Sequence, residues 1–113
     1  MTTAPDASPD AAAVPRDLDA VATPALLVDV PRLERNIADA QATIGSRADL
    51  RPHVKTSKCL EVARRQREAG AIGFTCSTAA EVTLLGEEGL GDLLWAYPPV
   101  GPPAVAFAVE AVV

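Results

Sequence analysis

Leu50-Arg51-Pro52-His53-Val54-Lys55-Thr56-Ser57-Lys58 holds the single histidine of the chain, and it places a lysine where an extended segment hands over to a helix. If residues 50–55 form a strand, alternate side chains share a face, so Arg51, His53 and Lys55 point one way. An inward lysine is costly to bury as an ion. It is then either paired or lowered in pKa, and a neutral amine can form a Schiff base with a carbonyl. The competing reading is a half-exposed strand whose lysine reaches water along its apolar stem. Residue types leave both open.

Around this stretch, the chain of 113 residues has the length of one small domain. Its apolar share of 49% permits a core, but with one Trp, one Tyr and two Phe the packing falls to Ala, Val and Leu. Acidic residues outnumber basic ones by 15 to 10, for a net charge of −5. No basic stripe is available to neutralise phosphates, which argues against nucleic acid as a partner. No basic amphipathic segment suits a membrane surface. The N-terminus lacks a basic region followed by an apolar one, and no apolar run approaches the roughly 20 residues of a spanning helix. A cytoplasmic protein is expected. Cys59 and Cys76 are too far apart for a CxxC motif and are expected to be buried free thiols. No cluster of His, Cys and Asp suggests a metal site.

Residues 1–22, rich in Ala, Pro, Asp and Thr, are expected to form a disordered acidic leader. Order should begin at Thr23-Pro24, with 25–30 an apolar buried strand. Pro31 suits a first helical position, and Leu33, Ile37, Ala40 and Ile44 form one apolar face ending at Gly45-Ser46. After the strand at 50–55, Thr56 or Ser57 can cap a helix running to about Ala69, with Leu60, Ala63 and the Arg67 stem inward and Gly70 as its stop. Residues 71–76 read as a third strand. Thr78 and Glu81 have capping-box spacing at the start of a third helix through Val82, Leu84 and Leu85. Residues 92–96 make a fourth strand, and Pro102-Pro103 open a last helix, apolar nearly all round, which should be buried between other elements.

The alternation β-α-β-α-β-α-β-α implies a parallel sheet, either open and doubly wound or part of a (β/α)8 barrel. No Gly-x-Gly-x-x-Gly or Walker-type loop follows a strand. Both architectures bind ligands at the C-terminal ends of strands, where Lys55, Ser77 and Tyr97 all fall.

The runs Thr23-Pro24-Ala25-Leu26-Leu27-Val28-Asp29, Leu33-Glu34-Arg35-Asn36-Ile37 and Arg51-Pro52-His53-Val54-Lys55-Thr56 resemble the N-terminal part of the D-threonine aldolase and D-serine dehydratase family. The later runs Ala69-Gly70-Ala71-Ile72-Gly73 and Ala96-Tyr97-Pro98-Pro99-Val100-Gly101, with the Glu81 helix, follow the same pattern in the same order. The resemblance covers about residues 22–103. It implies an alanine-racemase-like (β/α)8 TIM barrel of which residues 23–113 supply about four βα units. It also implies pyridoxal phosphate as cofactor, Lys55 as its Schiff-base lysine and a D-3-hydroxy amino acid as substrate for a lyase. His53 would pack beneath the cofactor or hydrogen-bond near it, or be a satisfied core histidine. Lys58 would open the second helix and face solvent. Many family members carry His where this chain has Ser57, which leaves the substrate open among aldolase, dehydratase and racemase chemistry. The resemblance further implies a homodimer, and a divalent metal whose ligands lie outside this stretch. In such enzymes the strand matching 25–30 pairs with a C-terminal domain. The alternatives are a non-catalytic pyridoxal-phosphate-binding protein and an inactive truncated fragment; the chain taken alone is expected to associate and to show no lyase activity.

Overall fold

A computed structural model describes residues 17–111. Most of the leader expected over 1–22 therefore lies outside the described residues, and Leu18–Ala20 forms a single 3-10 turn capped by the Asp17 carboxylate. The elements that follow are α1 (Val30–Ile44), α2 (Leu60–Glu68), β1 (Gly73–Cys76), α3 (Ala79–Glu87), β2 (Asp92–Trp95) and α4 (Pro102–Ala111).

β1 and β2 pair in parallel, Gly73 opposite Asp92 through to Cys76 opposite Trp95, and the Ala96 N–H extends the ladder to the Cys76 carbonyl at 2.9 Å. The other edge of β1 is taken by the focal stretch. Ile72 N–H donates to the Leu50 carbonyl, Thr75 N–H to that of Pro52 and Val54 N–H to that of Thr75, at 2.8–3.0 Å. His53 stands opposite Thr75 in parallel register. The expected strand is thus present as a pairing partner but interrupted, because Pro52 has no N–H for a rung of its own. It also ends earlier than expected. Val54 starts a turn closed by Lys58 N–H on the Val54 carbonyl at 2.8 Å, so Lys55 lies beyond the strand rather than on its inward face.

Three expectations need correction. Residues 25–29 form no strand among those described; Leu26, Leu27 and Val28 are exposed, with Leu26 at 92%. An apolar run becomes a stable strand only with a ladder neighbour and a face to bury, and here it finds neither. Neither Thr56 nor Ser57 caps α2, which begins at Leu60 behind Cys59, whose side chain makes no cap bond. The turn occupies the residues that the helix was expected to use. Finally, no residue of α4 is buried, and Val109 is 70% exposed. The tether of α4 to the sheet is an edge-to-face contact of Phe107 with Trp95, ring centres 5.6 Å apart.

The other elements start and stop as their residues direct. Asp29 caps α1 through Arg32 N–H at 2.9 Å, with Pro31 in the first turn. Leu33, Ile37 and Ile44 turn inward as expected, but Gln41 takes the place given to Ala40. Gln41 needs the bareness of Gly70, where a Cβ would meet its Nε2 at 3.2 Å; Gly70, at φ +111°, also ends α2. Arg65 links α2 to α1 through Glu34.

The core comprises Val54, Ala63, Ala71, Phe74, Cys76, Leu85 and Leu90, with Leu60, Val82 and Leu93 against it. Phe74 and Cys76 therefore face α2 and α3, and Gly73 and Thr75 point to the opposite side of the sheet with Arg51 and His53. Gly73 has a specific reason to lack a side chain. The Arg51 guanidinium crosses it to bond the Asp92 carbonyl and carboxylate, each at 2.5 Å, and a Cβ at Gly73 would lie 1.9 Å from that carbonyl oxygen and 2.6 Å from the guanidinium. One arginine thus straps the first and third strands across the second. Gly73→Ala must push β2 away and is expected to cost about 1–3 kcal/mol, as overpacking does. Phe74→Ala should cost about 3–5 kcal/mol through the cavity it leaves. Urea unfolding midpoints of the two variants check both values.

Candidate active site

The C-terminal rim of the three parallel segments carries Lys55, His53 and Ser77. Lys55 is exposed and forms no ion pair among the described residues. Its backbone is held: Lys55 N–H donates to His53 Nδ1 at 3.3 Å. A nitrogen that accepts carries no proton, so in the neutral ring the hydrogen sits on Nε2 and is donated to Ser77 Oγ, also at 3.3 Å. The His53 ring is half-buried and hydrogen-bonded at both nitrogens.

Every polar group of Ser77 is engaged. Its hydroxyl meets His53, its N–H donates to Glu81 Oε2 at 2.7 Å, and its carbonyl accepts the Trp95 indole N–H at 3.1 Å. These bonds arise from the local sequence. Thr78 caps α3 by accepting the Glu81 N–H at 3.2 Å, as the capping-box spacing indicated, and Glu81 reaches back past the cap to Ser77.

The other Glu81 oxygen, Oε1, pairs with Lys58 Nζ at 3.1 Å. Lys58 was expected to open α2 and to face solvent. Its side chain is 64% exposed, but its charge is anchored, and its backbone adopts a left-handed φ of 45° that turns the chain toward α2. The pairing was missed because the two residues are 23 positions apart, beyond any local spacing rule. The sequence did carry one signal: an acidic residue at a helix start behind a parallel strand lies on the same rim as the turn before the preceding helix.

Tyr97, the third rim residue expected, does not join this network. It is exposed and lines a separate cavity of about 710 Å³ between α3, β2 and α4, which neither Lys55 nor His53 borders. A smaller cavity of about 190 Å³, lined by Lys58, Cys59, Leu60, Thr78 and Glu81, lies between the starts of α2 and α3. Cys76 is a buried free thiol as expected, while Cys59 is free but exposed, since it precedes a helix that begins late. Burial, with the Glu81 charge adding to it, pushes the Cys76 thiol pKa up, so the thiol stays protonated and unreactive. Among the described residues no group of three or more His, Cys, Asp and Glu could hold a metal ion, and no helix is long and apolar enough to cross a membrane.

Glu81 itself is held below the ordinary carboxylate range, chiefly by the Ser77 N–H; desolvation opposes this, and Lys58 adds to the lowering. A carboxylate with a lowered folded-state pKa stabilises the fold above its unfolded value of about 4.3 and loses that contribution as pH falls through the folded value. Thermal unfolding midpoints should therefore fall as pH drops below about 4.3, and Glu81→Gln should flatten that part of the profile while lowering the midpoint at neutral pH. An unchanged acid profile in Glu81→Gln would remove this carboxylate from the stability of the rim.

No family model matches the chain. Individual proteins do. It is 47% identical over 75 residues to the D-threo-3-hydroxyaspartate dehydratase of Delftia sp. (strain HT23), covering 66% of this chain and 20% of that protein. It is 38% identical over 88 residues to the D-threonine aldolase of Arthrobacter sp., covering 76% of this chain and 23% of the aldolase. Among solved structures, the Delftia dehydratase superposes with a TM-score of 0.75 at 40% identity, over 81% of this chain and 24% of that one. The chain thus spans about a fifth of the length of the curated relatives it matches. Sequence and structure both find the Delftia dehydratase and the sequence comparison adds the Arthrobacter aldolase, so over the matched stretch the chain is similar to enzymes of the kind its motifs resemble.

Proposed function

We propose that this chain is the cofactor-lysine portion of a pyridoxal-phosphate-dependent lyase acting on D-3-hydroxy amino acids, with Lys55 as the residue that holds the cofactor. The observation that carries the proposal is an exposed lysine without an ion-pair partner, set on a pinned turn at the C-terminal rim of parallel strands. The order of those strands supports a (β/α)8 barrel over a doubly wound sheet. The segment at 50–54, β1 and β2 lie side by side in chain order, each joined to the next by one helix, and no strand reverses direction of progression among the described residues.

The residues on the rim fit the cofactor's carbonyl end. Lys55 can offer its amine because no carboxylate holds it, whereas Lys58 is engaged by Glu81. Pyridoxal phosphate, when bound, supplies an electron sink for the pair left at the α-carbon of an amino acid. The contribution of this chain is to present one amine on a fixed backbone, to hold the His53 ring beside it, and to hold Ser77 in place from three sides. The face bearing Arg51, His53 and Thr75 is the one turned from α2 and α3, and in a closed barrel it would line the interior. The relatives are named for D-threo-3-hydroxyaspartate and D-threonine, both D-3-hydroxy amino acids, which supports that substrate class here.

Borohydride reduction of the chain with pyridoxal phosphate, followed by peptide mass mapping, tests the assignment. The pyridoxyl mass should fall on the peptide containing Lys55, vanish in Lys55→Ala, and persist in Lys58→Ala. Label on Lys58 instead of Lys55, or label that survives Lys55→Ala, would sink it.

A further inference from the structure

The lysine turn is held at both ends by groups that never touch the lysine side chain. At its start, Val54 N–H is bound to the Thr75 carbonyl at 3.0 Å and Lys55 N–H to His53 Nδ1 at 3.3 Å. At its end, Lys58 N–H is bound to the Val54 carbonyl at 2.8 Å and Lys58 Nζ to Glu81 at 3.1 Å. Both ends converge on Ser77, through His53 Nε2 on the hydroxyl and through Glu81 Oε2 on the N–H. Ser77 is fixed in turn by the Trp95 indole on its carbonyl. The residues come from the first strand, the end of β1, the end of β2 and the start of α3.

We infer that Ser77 and His53 are positioning residues. The Lys55 N–H, which can only donate, requires the Nε2–H form of the imidazole; Ser77, accepting from Nε2, holds that ring in place, and the ring through Nδ1 fixes the backbone that carries Lys55. The two hydrogen bonds of the ring act together. Without the Ser77 hydroxyl, Nε2–H loses its partner and the ring is free to rotate away from the Lys55 N–H, which releases the turn. With the Ser77 hydroxyl in place, one tautomer satisfies both partners. The catalytic meaning rests on Lys55 being the cofactor's residue, but the clamp can be read without any cofactor.

The untagged full chain reports on it directly, because His53 is its single histidine. Nitrogen-15 spectra taken at a pH where the ring is neutral should place its hydrogen on Nε2; a hydrogen on Nδ1 overturns the inference. Amide hydrogen exchange of the peptide spanning residues 54–58 gives the second reading. Ser77→Ala should raise exchange at the Lys55 amide roughly two- to tenfold, the range carried by one hydrogen bond of ordinary net strength. Ser77→Thr, which keeps the hydroxyl, should restore it. Unchanged exchange in Ser77→Ala, or no rescue by Ser77→Thr, counts against the clamp. If Ser77→Ala fails to fold, the wild-type tautomer and the Ser77→Thr exchange still decide. Pyridoxal-phosphate labelling supplies the functional reading: Ser77→Ala should label the same lysine more slowly, and Ser77→Thr at the wild-type rate. Wild-type protein that shows the tautomer and the protected amide but takes no label on Lys55 would defeat the cofactor assignment and leave the clamp standing.

Discussion

The pairing of β1 on both of its edges is the constraint on which this structure depends. Four residues, Gly73 to Cys76, bond to β2 on one side and to the segment around His53 on the other. Their alternation divides the sheet into two environments. Phe74 and Cys76 disappear into the helix layer, each fully buried. Gly73 and Thr75 lie on the other face, and the missing side chain at Gly73 lets Arg51 reach Asp92. The surface ion pair contributes little energy in itself, since Asp92 is well exposed. Its effect is geometric, because it sets the relative height of the first and third strands, and their ends carry the residues of the rim.

Much of this was legible because local rules and tertiary packing agree. Pro31 in a first helical turn, Thr78 three residues before Glu81, and Gly70 behind a helix each act within one turn, so short-range chemistry suffices to read them. The strand at 71–76 was visible because its residues are buried on the helix side and small where Arg51 crosses. The apolar run at 25–30 and the last helix were misread for a common reason. Apolar composition states that a segment is worth burying, but not what will cover it, and among the described residues nothing covers Leu26 or Val109.

The focal stretch failed in a more instructive way. Alternation predicts that Arg51, His53 and Lys55 share a face, and for Arg51 and His53 it holds. Pro52 weakens the ladder, and the chain leaves the strand at Val54, so the lysine passes from the face to the rim. That change removes the problem of a buried ammonium raised by the sequence. An amine at the end of a parallel strand need not be desolvated by its own strand to be useful; it has to be presented at a fixed point where loops and helix starts converge. The backbone bond to His53 meets that need.

Lys55 and Lys58 are three residues apart, carry the same charge, and sit on one turn, so no composition argument can separate them. Glu81 separates them. Its carboxylate is turned toward the rim by Ser77 and Thr78, and it is only 11% exposed, so its charge needs a partner close by. Lys58 provides that partner by accepting a left-handed backbone, a conformation that costs a side-chain-bearing residue about 1–3 kcal/mol unless its surroundings impose it. Those surroundings also close the turn that raises Lys55 beyond the sheet. Anchoring one lysine as a structural cation is thus the step that leaves the other without a counter-ion. The difference between the two lysines follows from the position of one carboxylate on a neighbouring helix rather than from anything in the lysines themselves.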